Sequence, residues 1–218
     1  MTRHLFANVA IPPALSDLEP AADGWCHADV VIEADKIAAV TQTGVEDYGD
    51  LPCHDAKGSI LTSAFVDCHT HLDKAHVAAF HEFPVGDLLS AIDAMAVYKQ
   101  SWTKQSLANR VEFSLRSAYA YGVRAMRSHV DFSLENAPFI WEVMTAAQTQ
   151  WRGRIDLQCS PLAGIPNYED PTFVAAVSAA AAQQGCLGVF LHNQPNMEDL
   201  LRPVFALASA NGWDLDFH

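Results

Sequence analysis

A chain of 218 residues with 50% hydrophobic and 18% charged residues can bury one substantial core and a small satellite domain, so it is not compositionally disordered. Its formal net charge of −13, without a cluster of lysine or arginine, argues against polymeric nucleic acid and membrane surfaces as partners. Five scattered cysteines without a C-x-x-C pair, and an N-terminus with too few basic and apolar residues for a signal peptide, predict a reduced, cytoplasmic protein.

The first 62 residues predict a small β domain. Short alternating or β-branched runs are separated there by connections rich in proline, glycine and aspartate. We expect residues 1–62 to form part of a small β-sandwich, and residues 63–218 to form the first part of a second, larger domain.

From residue 63 onward, short apolar strands alternate with longer helical patterns. Five strands are predicted near 64–69, 123–130, 154–162, 186–193 and 213–218. Helices are predicted at 86–100, 103–121, 135–150, 170–184 and 197–211. This spacing is typical of parallel βα units, in either a doubly wound sheet or a (β/α)8 TIM barrel, and the lack of G-x-G-x-x-G after the first strand disfavours dinucleotide binding.

Three histidines and two aspartates fall within residues 65–76, FVDCHTHLDKAH, directly after an apolar run. Because alternate side chains of a strand share a face, Asp67, His69 and His71 should point the same way. The histidines come at the carboxyl end of the strand, which is the active-site end of a TIM barrel. An H-x-H pair there offers two nitrogen ligands to one metal ion; the alternative is that each histidine is solvated or bonds to a neighbour.

Histidine recurs at the same end of later strands. The second strand ends with His129, the fourth with His192 and the fifth with His218. Chance placement would scatter histidines through the helices as well, so this repetition indicates that the strand ends share one site.

At these residues the chain resembles the amidohydrolase superfamily, and more closely its cytosine deaminase-like branch. The resemblance spans essentially the whole chain and rests on AKGSILTSAFVDCHTHLDKAH, MRSHVDFS, RIDLQCSPLAGI and LASANGWDLDFH. It implies a TIM barrel beside a small β-sandwich, and a hydrolytic deaminase that releases ammonia from an amino-substituted heterocycle of the cytosine, isocytosine or aminotriazine type. It also implies one divalent metal ion, zinc or iron, held by His69, His71, His218 and a strand-eight aspartate.

The chain departs from the pattern of this family at three points. Ser63 and Ala64 replace the usual Pro-Gly before strand one, which changes the turn but not the ligands. Leu162 stands where cytosine deaminases carry a pyrimidine-binding glutamine, which disfavours cytosine itself. Because the chain stops at His218, the resemblance implies the N-terminal part of a longer protein, inactive alone, with the acid/base glutamate expected beyond residue 218.

The remaining candidate residues are expected around the strand-one histidines. We assign substrate binding to Leu162, His129, His192 and Asn193, although His129 could equally be a core histidine or a hydrogen-bond partner of the ligands. Asp67 is assigned to orienting the metal ligands.

The positions of the lysines bear on the expected site in two ways. Lys74 and Asp73 could contact substrate or form a structural salt link, and we favour the link. The chain has no lysine beyond Lys104, so it lacks the strand-four lysine of binuclear family members, and a mononuclear site is expected.

The expected partner is a small heterocyclic substrate, and we expect a homo-oligomer when the protein is full length. Two alternatives stay open at this point. One is an amidohydrolase that opens a cyclic amide C–N bond, and the other is a non-catalytic, metal-free barrel.

Overall fold

The computed structural model describes residues 2–83 and 85–218, which divide into two compact units, Met1–Ser63 and Ala64–His218. Each unit contains its own β-sheet. None of the helices in the described part of the chain has the length and apolar character needed to cross a membrane.

The first unit is built on a four-stranded mixed sheet. Its strands lie in the order β3-β2-β1-β4, with β4 parallel to β1 and the other pairs antiparallel. Their bounds are β1 Arg3–Ile11, β2 Cys26–Glu33, β3 Lys36–Gln42 and β4 Cys53–Asp55. A small core forms between β1 and β2 around Val9, Cys26 and Val30, which are almost fully buried.

The second unit contains a five-stranded parallel sheet in the order β5-β6-β7-β8-β9. The strands are β5 Phe65–Thr70, β6 Val123–Asp131, β7 Asp156–Gly164, β8 Cys186–Phe190 and β9 Asp214–Phe217. Each strand pairs with the next along the chain, without the reversal of order that a doubly wound sheet requires. The predicted alternation of parallel strands and helices is therefore confirmed as a half-barrel.

The helices of this unit begin and end at residues with clear local causes. They are α1 Leu88–Lys99, α2 Lys104–Ala120, α3 Ala137–Trp151, α4 Pro171–Ala181 and α5 Met197–Asn211. Thr103 caps α2 by accepting a hydrogen bond from the Ser106 N–H, and the Ser106 hydroxyl accepts one from the Thr103 N–H in return. Gly212 ends α5 in the left-handed conformation, with φ of +66°.

The main core lies between the sheet and the helices, but the first strand contributes little to it. Leu107, Met144 and Trp151 from α2 and α3 are almost fully buried. By contrast, Phe65 and Val66 of β5 are 59% and 70% exposed. Within the described residues β5 pairs only with β6, so its apolar run lies at a sheet edge and does not form the core strand that its composition suggests.

Candidate metal centre

Four of the five histidines predicted at the strand ends meet at the carboxyl ends of the parallel strands. His69 lies in β5, His71 follows it, His129 lies near the end of β6 and His218 follows β9. Because all five strands run in the same direction, these ends form one edge of the sheet. The sheet's curl brings β9 back toward β5, which places four imidazoles in contact.

Three of these rings form the histidine cluster, defined here as His69, His71 and His218. One nitrogen from each can be chosen so that all three lie within 4.8 Å of one another. The ring centroids of His71 and His218 are 5.3 Å apart, which agrees with the sequence-based expectation that strand five returns to the strand-one pair. Two nitrogens bound to one tetrahedral ion lie about 3.4 Å apart, so small ring rotations would suit the cluster to an ion.

His71 is held in a form that can bind a metal. Its Nδ1 lies 2.9 Å from the main-chain carbonyl oxygen of His129, and since a carbonyl only accepts, Nδ1 carries the proton. Nε2 is then left with a free lone pair. Burial and, to a lesser extent, the nearby charge of Lys74 lower the pKa of His71 to about 4, which keeps the ring neutral near pH 7.

His218 is fixed by the strand ladder. Its N–H donates to the Val189 carbonyl at 2.9 Å, and its carbonyl accepts from the Leu191 N–H at 2.8 Å. Burial and, to a lesser extent, the charges of His129 and His69 lower the pKa of His218 to about 4. Neither ring nitrogen, both of them shielded from solvent, has a hydrogen-bond partner within the described residues, so both are free to bind a ligand.

A second group, His129, Asp216 and His218, also satisfies the distance requirement for a metal site. Arg127 Nη1, however, lies 3.1 Å from Asp216 Oδ2, so a guanidinium already lies against that carboxylate. Burial raises the pKa of Asp216, but the contacts with His129 and Arg127 outweigh it and hold the pKa below its usual value. A metal ion bound to Asp216 would be repelled by the positive charge of Arg127. The histidine cluster is therefore the better candidate for the metal site.

The loop after β5 is held by contacts from two neighbouring elements. The Ser128 hydroxyl accepts from the Leu72 N–H at 3.0 Å, and Arg110 Nη2 donates to the Asp73 carbonyl at 2.9 Å. Asp73 is fully buried, and Oδ2 of its carboxylate accepts from the Asp131 N–H at 3.1 Å. Burial and, to a lesser extent, the negative charge of Asp131 raise the pKa of Asp73 to about 6. These contacts fix the position of the loop that carries His71.

A cleft of about 530 Å³ opens beside the histidine cluster and is lined by His71 and His218. Its polar wall is an ion-paired group in which Lys74 Nζ lies 2.7 Å from Asp131 Oδ1, and Lys99 contacts Oδ2 of the same carboxylate. Burial raises the pKa of Asp131, but the two ammonium groups outweigh it and hold the pKa below its usual value.

The apolar part of the lining includes Phe132, Leu162 and Phe190. Leu162 is almost fully buried, at 5% exposure. A cleft of this size with a few convergent polar groups is typical of small-molecule sites.

Sequence reasoning missed part of this arrangement. Lys74 does form a salt link, but its partner is Asp131 and not the adjacent Asp73, whose buried carboxylate accepts from the Asp131 N–H. Asp131 lies two residues after His129 on β6, so the sequence places both on one face of the strand but does not indicate the lysine partners of Asp131. Lys99 ends α1 and carries no motif that would have identified it.

Of the residues predicted to bind substrate, Leu162 lines the cleft, whereas the fully buried His129 does not. His192 and Asn193 are exposed beyond the end of β8 and do not line it, so their role in substrate binding stays a prediction. The Asp67 carboxylate accepts a hydrogen bond from the main-chain N–H of His69 at 3.2 Å. A register shift between Asp67 and Thr70 interrupts the regular alternation there, and bulges of this kind redirect side chains at strand ends.

No protein-family model matches the chain, but two curated proteins are similar to it. A pterin deaminase from Rhizobium rhizogenes is 28% identical over 220 aligned positions, and the alignment covers 99% of this chain and 50% of that protein. An N-isopropylammelide isopropyl amidohydrolase from Pseudomonas sp. is 25% identical over 174 aligned positions, and the alignment covers 75% of this chain and 43% of that protein. The chain spans about half the length of the curated relatives it matches.

The fold is shared with a solved enzyme. The crystal structure of 5-methylcytosine deaminase from Klebsiella pneumoniae with 5-fluorocytosine superimposes with a TM-score of 0.79 at 20% identity, and covers 98% of this chain and 50% of that one. Such structural neighbours are amidohydrolase TIM-barrel proteins, and the half-barrel and separate mixed sheet match the N-terminal half of that architecture. The chain is thus similar in sequence to these two curated enzymes, and it shares its fold with amidohydrolase TIM-barrel proteins.

Proposed function

We propose that this chain carries the metal-binding part of a hydrolytic deaminase whose barrel is of the (β/α)8 type. The observation that carries the proposal is the histidine cluster beside a cleft of the size of one heterocycle. The names of the curated relatives, a pterin deaminase and an N-isopropylammelide isopropyl amidohydrolase, support an amino-substituted ring as substrate.

The proposed cofactor is one divalent metal ion, zinc or iron, held by His69, His71 and His218. Neutral imidazoles with free lone pairs suit either ion, and the orphaned ring nitrogens of His218 support this fit. When bound, such an ion supplies Lewis acidity and lowers the pKa of a water molecule toward neutrality. A single ion is favoured because the sequence has no lysine beyond Lys104 that could bridge two.

The chain's own residues would position the ring. Lys74 offers N–H donors to an oxo group or ring nitrogen, while Asp131 offers oxygen acceptors to an amino group. Phe132 and Phe190 in the apolar part of the lining would lie against the ring and exclude water. His71 keeps its Nδ1 proton directed at the His129 carbonyl, so its Nε2 stays available on the cleft side.

Leu162 bears on the choice of ring. A buried leucine offers no hydrogen bond, and a site built to bond a ring edge rejects rings that lack the match by several orders of magnitude. We therefore expect the preferred substrate to be a pterin, an isocytosine or an aminotriazine and not cytosine. The acidic chain has no phosphate-binding cluster of basic residues, which disfavours a nucleotide.

The proposal is tested by ammonia release from the full-length, metal-loaded protein across pterin, cytosine, isocytosine and aminotriazines. We expect at least one of the non-cytosine rings to be deaminated and the activity to be lost in His69→Ala. His76→Ala is the matched control, because this exposed histidine of the same segment packs on Phe113 outside the cluster. Ring opening without ammonia would favour the cyclic amide alternative, and absence of both activity and metal would favour the non-catalytic barrel.

We also propose that the full-length protein is a homo-oligomer. Multi-angle light scattering of the purified protein measures this directly, and a mass equal to one chain would contradict it.

A further inference from the structure

Four imidazoles meet beside the cleft, but only three belong to the histidine cluster. The fourth, His129, is fully buried, and its ring centroid lies 4.2 Å from that of His218 and 4.6 Å from that of His69. A polar ring placed at the centre of a cluster of ligands requires a reason, because burying it costs free energy unless it is paired.

His129 contacts an ion pair that reaches across the interior of the sheet. Its Nε2 lies 2.8 Å from Asp216 Oδ2, and Arg127 Nη1 lies 3.1 Å from the same oxygen. The His129 contact is close but does not have the geometry of a hydrogen bond. Since β6 and β9 are separated by β7 and β8, only the curl of the sheet allows these side chains to meet.

The ion pair is itself held in place. Arg127 Nε donates to Gln158 Oε1 at 2.7 Å, and Gln158 Nε2 donates to the Gln184 carbonyl at 2.9 Å. The guanidinium is thus fixed between β7 and β9, and it keeps the Asp216 carboxylate turned toward His129.

His129 in turn touches two of the proposed ligands. Its carbonyl accepts the Nδ1 proton of His71, and its ring meets the His218 ring edge-to-face at 71°. Asp216 Oδ1 also lies 4.0 Å from His218 Nδ1. Groups that lie behind metal-binding histidines fix the tautomer and orientation of the rings and raise metal affinity.

We propose that Arg127, Asp216 and His129 form a positioning network that sets the ring orientations of His71 and His218 for metal binding. The inference rests on the proposed function, because it assigns the network to that metal centre. It places the orienting carboxylate on β9, at Asp216, instead of at Asp67 on β5.

The test measures metal affinity directly and does not depend on turnover. The full-length protein, stripped of metal, is titrated with Zn²⁺ against a chromophoric chelator, and the visible spectrum of its Co²⁺ form reports the ligand geometry. Asp216→Asn should weaken Zn²⁺ binding by about 10- to 100-fold and alter the Co²⁺ spectrum, while Asp216→Glu, which keeps the charge but moves it, should lose less. Asp214→Asn is the matched control, since it removes the same charge from an exposed position of the same strand.

The outcomes separate the two proposals. If the wild-type protein binds no Zn²⁺, the metal centre and the network both fall. If it binds Zn²⁺ but Asp216→Asn binds within twofold of Asp214→Asn, only the network is overturned. Should Asp216→Asn fail to fold, an unchanged affinity and Co²⁺ spectrum in Asp216→Glu would overturn it equally.

Discussion

Gly188, in the middle of β8, lies opposite Leu162 of β7 in the parallel pair of strands. A Cβ built there would lie 2.9 Å from the Pro161 carbonyl oxygen, 2.9 Å from Ser160 Oγ and 3.3 Å from Leu162 Cα. Ordinary van der Waals contact begins near 3.4 Å, and two of these atoms belong to the main chain of the neighbouring strand. Gly188→Ala therefore requires β7 and β8 to separate by about 0.5 Å. Overpacking of this kind in a protein core lowers the free energy of unfolding by about 1–3 kcal/mol.

The change is measured by thermal unfolding of the full-length protein. For a domain of this size, 1–3 kcal/mol lowers Tm by about 2–12 °C. The matched control is Gly164→Ala in the same sheet, because a Cβ there meets its nearest atom at 3.5 Å and the residue has a negative φ of −63°. The reasoning is refuted if Gly188→Ala and Gly164→Ala melt within a degree of each other.

Three further predictions concern the site and its surroundings. Zn²⁺ at a hundred times its Kd should stabilise the wild-type protein by about 2.7 kcal/mol, and the rise in Tm should disappear in His69→Ala. Leu162→Gln should shift the ranking of kcat/KM toward cytosine, and an unchanged ranking would show that Leu162 does not read the ring. The Tyr168 hydroxyl donates a hydrogen bond to the Gly188 carbonyl at 3.0 Å. Burial and, to a lesser extent, the charge of Cys186 raise the pKa of this hydroxyl. Above pH 10 the unfolded state loses this proton first, so the free energy of unfolding should fall with pH, and less steeply in Tyr168→Phe, as urea titrations would measure.

Much of the architecture could be predicted from local patterns. The alternation of apolar strands with amphipathic helices depends on residues close in sequence, so all five βα strands and their helices were predicted within a few residues. The Thr103 cap and the Gly212 stop are likewise local signals. The convergence of His71 and His218 was predictable because parallel strands end at one edge.

The tertiary structure decided which side chains pair across that edge. Lys99 at the end of α1 and Lys74 after β5 both meet Asp131, and Asp216 on β9 reaches His129 on β6. These partners are 32 to 87 residues apart in sequence, and their contact depends on the curl of the sheet and the path of the loops, which no local pattern encodes. The sequence alone therefore determined the types of residue at the strand ends, while the three-dimensional fold determined how those residues contact one another.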